Sequence, residues 1–131
     1  MTDCNGKNTP TESTKILGTD PHGMPPEADW KYSSIVGMML YLAANSRPDL
    51  SFAVHQCARF THATKRSHEQ AILRICRYLQ ATTDEGLIYW PSKNLQVDCY
   101  VDADLAGLYS VESPDDPISV KSRTGFVIMI A

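Results

Sequence analysis

Residues Tyr32 to Ala43 read YSSIVGMMLYLA, and their apolar side chains recur every three to four residues, as in a helix. The apolar positions cover more than half of the helix circumference, so this helix is predicted to be largely buried. Asp29 precedes the run and can cap the helix by accepting hydrogen bonds from its first amides. We therefore expect the ordered part of the chain to begin near Asp29.

Two more helices are predicted after this one. Pro48 breaks the first helix and fits the first turn of the next, whose apolar stripe runs from Leu50 to Phe60. Ser67 to Gln70 read SHEQ, which matches the capping box, so a third helix is expected to start at Ser67. Three helices with short connections predict a compact helical unit over residues 30–83.

The pattern changes from helical to extended after Gly86. Leu87 to Trp90 form a short β-prone run, and apolar and polar residues alternate from Leu95 to Asp102. A third run, Gly125 to Ile130, has nothing after it that could pair with its far side. Residues 84–131 are thus predicted to form an incomplete antiparallel sheet, which makes the fold class α+β.

Residues 1–29 are rich in Thr, Pro, Gly, Asn and Asp and lack an apolar period, so they are predicted to be a disordered leader or linker. The longest apolar run, Ile35 to Ala44, has about half the length that a membrane span needs, and no membrane partner is expected. The four cysteines are widely spread and lack metal-site spacing. Free thiols of this kind indicate an intracellular protein.

Charge is distributed unevenly along the chain. Residues 51–91 hold five basic and three acidic residues, whereas residues 92–131 hold three basic and six acidic ones. The basic segment could contact phosphate, or it could simply be a solvated surface. The candidate nucleic-acid-binding residues are Arg59, Lys65, Arg66, Gln70, Arg74 and Arg77.

The acidic segment contains the sequence YVDADLAG from Tyr100 to Gly107. Asp102 lies at the end of a predicted strand and is followed by small residues and glycine. A carboxylate placed in this way can hold a divalent cation, although aspartates beside glycine are also ordinary turn formers.

The stretch from Tyr32 to Phe126, about three-quarters of the chain, resembles the end of the Pol polyprotein of copia-type LTR retrotransposons. The first helix matches that family's pattern Y-x-S-x-[IV]-G-x-[LM]-[LM]-Y-L-A. Arg47 to Leu50 match its RPDL element, and Tyr100 to Gly107 resemble its Y-S-D-A-D-W-A-G.

The resemblance implies that the helices belong to the region after the reverse-transcriptase palm, including the thumb, and that the strands open a ribonuclease H-like domain. It also implies that Asp102 is the first metal-binding carboxylate of the nuclease, with Mg²⁺ as the cofactor. Asp104 is expected to support that carboxylate without binding the metal directly. The implied partners are an RNA/DNA hybrid or duplex and the remainder of Pol.

Neither active site is complete in the chain. The Y-V-D-D turn of the polymerase is absent, and three nuclease carboxylates are expected beyond residue 131. We therefore expect the isolated chain to be inactive as a polymerase and as a ribonuclease H. The alternative is a non-catalytic remnant that binds nucleic acid or a protein. In either case we expect the protein in the cytoplasm, a virus-like particle or the nucleus.

Overall fold

The computed structural model describes residues 5–12, 16–88, 96–105 and 120–130. The chain divides into two compact units, Met1–Leu87 and Ile88–Ala131. The first unit contains the helices α1 (Tyr32–Asn45), α2 (Ser51–Ala58) and α3 (Arg66–Ala81), with a 3₁₀ turn at Pro48–Leu50 before α2. The second contains the antiparallel strands β1 (Val97–Asp104) and β2 (Arg123–Ile130). The predicted α+β class is confirmed, and none of the described helices is long and apolar enough to cross a membrane.

Helix α1 packs on the other two helices through one side. Tyr32, Val36, Met39 and Ala43 are buried on this side, at spacings of four, three and four residues. The opposite side is open, since Met38 is 55% and Tyr41 69% exposed. The prediction that α1 is largely buried is therefore wrong, because α2 and α3 cover only one side of it.

The start of α1 also differs from the prediction. The residue before the first turn is Lys31, and it makes no side-chain cap. Asp29 lies outside the helix. The amide of the preceding residue, Ala28, donates to the Glu69 carboxylate at 2.8 Å, and this hydrogen bond holds the chain along α3. The Tyr32 hydroxyl donates to the Cys57 carbonyl at 3.0 Å and joins the start of α1 to the end of α2.

The centre of the helical unit is apolar. Val54 and Cys57 of α2 and Ile72 and Ile75 of α3 are each at most 1% exposed. Burying a side chain of valine or isoleucine size contributes about 1.5–3 kcal/mol to stability, so these contacts are the main stabilising term. Burial also raises the pKa of Cys57 to about 11, which keeps the thiol protonated and unreactive.

Helix α3 starts one residue earlier than the capping box predicts. Its N-cap is Lys65, whose amide donates to Nδ1 of His68 at 3.0 Å. The Ser67 hydroxyl instead donates to the Asp20 carboxylate at 2.6 Å. The predicted capping box at Ser67 is therefore wrong, because this serine and His68 have partners elsewhere in the fold.

A buried polar group links the α1–α2 connection to the end of α3. Arg47 donates two hydrogen bonds to the Asp49 carboxylate, at 2.9 and 3.1 Å, and two to Thr82, at 2.8 and 2.9 Å. The Tyr78 hydroxyl donates to Asp49 at 2.8 Å, and Arg47 lies 5.4 Å from the centre of the Tyr78 ring. The hydrogen bonds from Arg47 lower the pKa of Asp49, and the hydrogen bond to Asp49 raises that of Tyr78.

Strands β1 and β2 pair over their full length, with Asp102 opposite Gly125. Their existence was predicted, but β1 begins at Val97 and ends at Asp104, two residues beyond the predicted end, and β2 begins two residues before the predicted start. The predicted strand at Leu87 to Trp90 is not found in its described residues. Leu87 and Ile88 lie outside any strand, and the rest of that run lies outside the described residues.

Candidate nucleic-acid interface

Four of the six predicted binding residues lie along α3. Their spacing of four, four and three residues places them on one side of the helix, although Arg66 was expected in the turn before it. We call this set the basic row: Arg66, Gln70, Arg74 and Arg77. At a rise of 1.5 Å per residue the row is about 16 Å long. Gln70 is exposed, whereas the three arginines are half-buried.

The arginines are less accessible than predicted because residues of the leader, 1–29, contact two of them. Arg66 Nη1 lies 2.7 Å from Glu27 Oε1. Arg74 Nη1 lies 3.3 Å from Glu12 Oε1, and its Nη2 donates to Thr9 Oγ1 at 3.0 Å. Both glutamates are more than 60% exposed. Exposed ion pairs of this kind contribute about 0–1 kcal/mol each, so they are easily exchanged.

The backbone of the leader is held more firmly than its charges. The buried carboxylate of Glu69 accepts the amides of Glu27 and Ala28, at 3.1 and 2.8 Å. His68 is fully buried, and its Nε2 lies 2.8 Å from the Gly18 carbonyl. Because Nδ1 of His68 accepts the Lys65 amide, Nε2 carries the proton and donates to Gly18.

A tight turn from Asp20 to Gly23 shapes this part of the leader. The Gly23 amide donates to the Asp20 carbonyl at 2.9 Å, and Asp20 has a φ of 48°, in the left-handed region. A Cβ atom at Gly23 would lie too close to the Asp20 carboxylate, so a larger residue there would require the Asp20 side chain to move. The same carboxylate accepts the Ser67 hydroxyl, which fixes the turn against α3.

The other two predicted binding residues lie at the approach to α3. Arg59 donates to the Leu17 carbonyl at 3.2 Å and to Gln56 at 3.1 Å, and it lies over the Phe60 ring. Arg59 thus contributes to packing of the leader against α2. Lys65 is the N-cap of α3, next to the basic row.

The structure therefore brings the predicted basic residues together but adds the leader beside them. The prediction that residues 1–29 are disordered stays a prediction, as do the domain limits and the binding role of the basic residues. Sequence reasoning missed the contacts of Glu12, Glu27 and Glu69, since they join residues 39 to 62 positions apart.

Asp102 and Asp104 lie on one face of β1, since side chains alternate along a strand. Both are exposed, and Asp102 faces no side chain across the sheet, because Gly125 is opposite. The described residues contain no cluster of three or more His, Cys, Asp or Glu suited to a metal ion. These two aspartates do not make a Mg²⁺ site by themselves, so a metal at Asp102 stays a prediction that needs further carboxylates.

Comparison with known proteins finds several retrovirus-related Pol polyproteins. That of transposon RE1 from Arabidopsis thaliana is 36% identical over 100 residues, 76% of this chain but 6% of its own length. That of transposon TNT 1-94 from Nicotiana tabacum is 35% identical over 96 residues, 73% of this chain and 7% of its own length. An uncharacterized mitochondrial protein of Arabidopsis thaliana is 31% identical over 85 residues, and the match covers 69% of that protein. No family model and no solved structure matches the chain.

Proposed function

Because the chain belongs to the Pol polyproteins of copia-type transposons, of which it spans a short segment, we propose that this segment binds an RNA/DNA hybrid during reverse transcription. The helical unit corresponds to the region after the reverse-transcriptase palm, including the thumb. The strands correspond to the opening of a ribonuclease H-like domain. The hybrid is bound through its phosphates by α3, while polymerisation and cleavage need residues from other parts of Pol.

The basic row is the observation on which this proposal rests. Three arginines and a glutamine lie on one side of a helix over about 16 Å. Phosphates of one strand follow each other at about 3.4 Å along the duplex axis, so the row spans several of them. Arginine forks bind phosphate without reading the bases, and contacts of this kind hold a duplex in register irrespective of sequence.

The salt dependence of hybrid binding tests this role. Each phosphate contact adds about 0.9 to the slope of log affinity against log salt. Replacing Arg74 and Arg77 by Ala should lower the slope by nearly 2 without unfolding α3, since Ala is the better helix former. The control is Lys31→Ala with Lys121→Ala, which changes the net charge equally at exposed positions outside the row. Equal slopes for both folded double variants would contradict the proposal.

A second test concerns the acidic face of β1. In the proposed nuclease, Asp102 is one of several carboxylates that share two Mg²⁺ ions, and Asp104 supports it. One such carboxylate is not enough for catalysis, so the isolated chain should not cleave a labelled RNA/DNA hybrid in Mg²⁺ or Mn²⁺. Cleavage that disappears in Asp102→Asn would show that a complete site is present and that this reasoning is wrong.

A further inference from the structure

We propose that the leader regulates the basic row, with Glu12 and Glu27 occupying the positions at which phosphates of the hybrid would bind Arg74 and Arg66. This inference rests on the proposed function and adds an intramolecular competitor to it. The carboxylates lie 3.3 and 2.7 Å from the two guanidinium groups, within the range of direct ion pairs.

The competing groups are anions of the same kind as the ligand. A carboxylate and a phosphate both bind guanidinium through oxygen atoms, so a guanidinium nitrogen that is paired with Glu12 or Glu27 is unavailable to the hybrid. Arg74 has further binding capacity, since its buried Nε has no hydrogen-bond partner in the described part of the chain. A phosphate that displaced Glu12 could accept from this nitrogen as well.

The two kinds of leader contact differ in strength, and this difference makes a switch possible. The backbone is anchored at buried Glu69 and His68, which neither exposed glutamate affects. The glutamate side chains of both ion pairs are exposed to solvent, so water and salt ions compete with the two arginines for them. A hybrid can therefore displace the acidic side chains while the leader backbone stays on α3.

Arg77 provides an internal comparison within the basic row. It lies on the same side of α3, and no hydrogen bond or ion pair is found for it in the described part of the chain. It is thus open to phosphate with the leader in place. We therefore expect weak hybrid binding through Arg77 while Glu12 and Glu27 are still paired with Arg74 and Arg66. Release of the leader charges would add Arg66 and Arg74 to this first contact.

The experiment replaces the competing charges and leaves the leader backbone intact. Glu12→Gln with Glu27→Gln keeps the length and polarity of both side chains, and the Glu27 amide can still donate to Glu69. The matched control is Asp29→Asn with Glu85→Gln. It raises the net charge by the same two units at exposed acids that make no side-chain ion pair among the described residues.

Binding of a fluorescent RNA/DNA hybrid is measured by anisotropy for the wild type, the variant and the control between about 50 and 200 mM salt. An exposed ion pair shifts an equilibrium by about 1.4- to 5-fold, so the variant should bind about 2- to 30-fold more tightly than the control. The gain should be largest at the low end of this salt range, because screening weakens the two competing ion pairs as salt rises.

Two negative results have different meanings. If the wild type binds with a salt-dependent affinity but the variant and the control behave alike, the leader does not compete with phosphate and this inference is overturned. If none of the three proteins binds the hybrid even at low salt, the proposed function fails, and the inference fails with it. Circular dichroism of each protein confirms that the helices are formed.

Discussion

Replacing Arg47 by Met should destabilise the helical unit strongly. Arg47 is 9% exposed and donates four hydrogen bonds, two to Asp49 and two to Thr82. Met retains the apolar stem over the Tyr78 ring but removes every donor. The variant therefore tests the polar contacts separately from the packing.

The expected loss follows from the burial of the partners. Removing one member of a fully buried ion pair costs about 3–5 kcal/mol. The Asp49 side chain is 39% exposed, so water replaces part of what Arg47 supplied, and we expect a loss of about 2–3 kcal/mol. At about 4–8 °C per kcal/mol for a domain of this size, Tm should fall by roughly 10–20 °C.

Urea unfolding followed by circular dichroism measures this loss. Arg77→Met is the matched control, because it makes the same change on α3 where no ion pair is found among the described residues, and it should stay within about 0.5 kcal/mol of the wild type. Arg47→Lys should lie between the two, since lysine keeps the charge but lacks the planar fork. An Arg47→Met variant as stable as the Arg77→Met control would refute the reasoning.

The same variant should change the response to acid. Arg47 lowers the pKa of Asp49 in the folded protein, so the stability due to this pair is present above the unfolded pKa, about 4, and is lost as pH falls through the folded value. In Arg47→Met the pKa of Asp49 in the folded protein approaches its pKa in the unfolded chain. The decline of stability below about pH 4 should then be shallower than in the wild type, and an unchanged decline would contradict this assignment.

Two further predictions concern Cys57 and Glu69. Burial raises the Cys57 pKa from 9.0 to about 11, so the thiol ionises first in the unfolded chain and stability should fall as pH rises through this interval. In Cys57→Ala the loss of stability between about pH 9 and 10, relative to the same variant at pH 7, should be smaller than in the wild type. An equal loss would assign it to other groups. Glu69→Ala removes the acceptor of two leader amides, so hydrogen exchange at the Glu27 and Ala28 amides should accelerate by about 10- to 100-fold. The control Gln70→Ala should change neither exchange rate. Unchanged exchange in Glu69→Ala would show that these hydrogen bonds do not hold the leader.

The sequence predicted the features that depend on near neighbours. The period of apolar residues identified α1, α2 and α3, because one side of each helix faces the same core, although it overstated the burial of α1. The alternation similarly identified β1 as far as Asp102, whereas Asp104 joins the strand only in the structure. The spacing of Gln70, Arg74 and Arg77 was enough to align them on α3, whereas Arg66 was expected in the turn before this helix.

The sequence could not predict contacts between distant residues. Ser67 satisfies the local rule for an N-cap, but Asp20, 47 residues away, accepts its hydroxyl proton, and His68 receives the Lys65 amide instead. Likewise, nothing in the composition of the leader indicates that Glu12 would reach Arg74, 62 residues further on. The alignment of the basic row along α3 was therefore largely predictable, whereas the leader contacts with Arg66 and Arg74 were not.

The pairing of β1 with β2 has a consequence during synthesis on the ribosome. Val97 pairs with Ile130, so 33 residues are added after Val97 before its partner exists. At about 5–20 residues per second this takes roughly 2–7 seconds. The helical unit lies within residues 1–87, so it can fold within that time. The nascent chain therefore carries a complete helical unit while β1, whose Val97 and Val101 are exposed even after pairing, is an unpaired strand open to chaperones or to other nascent chains.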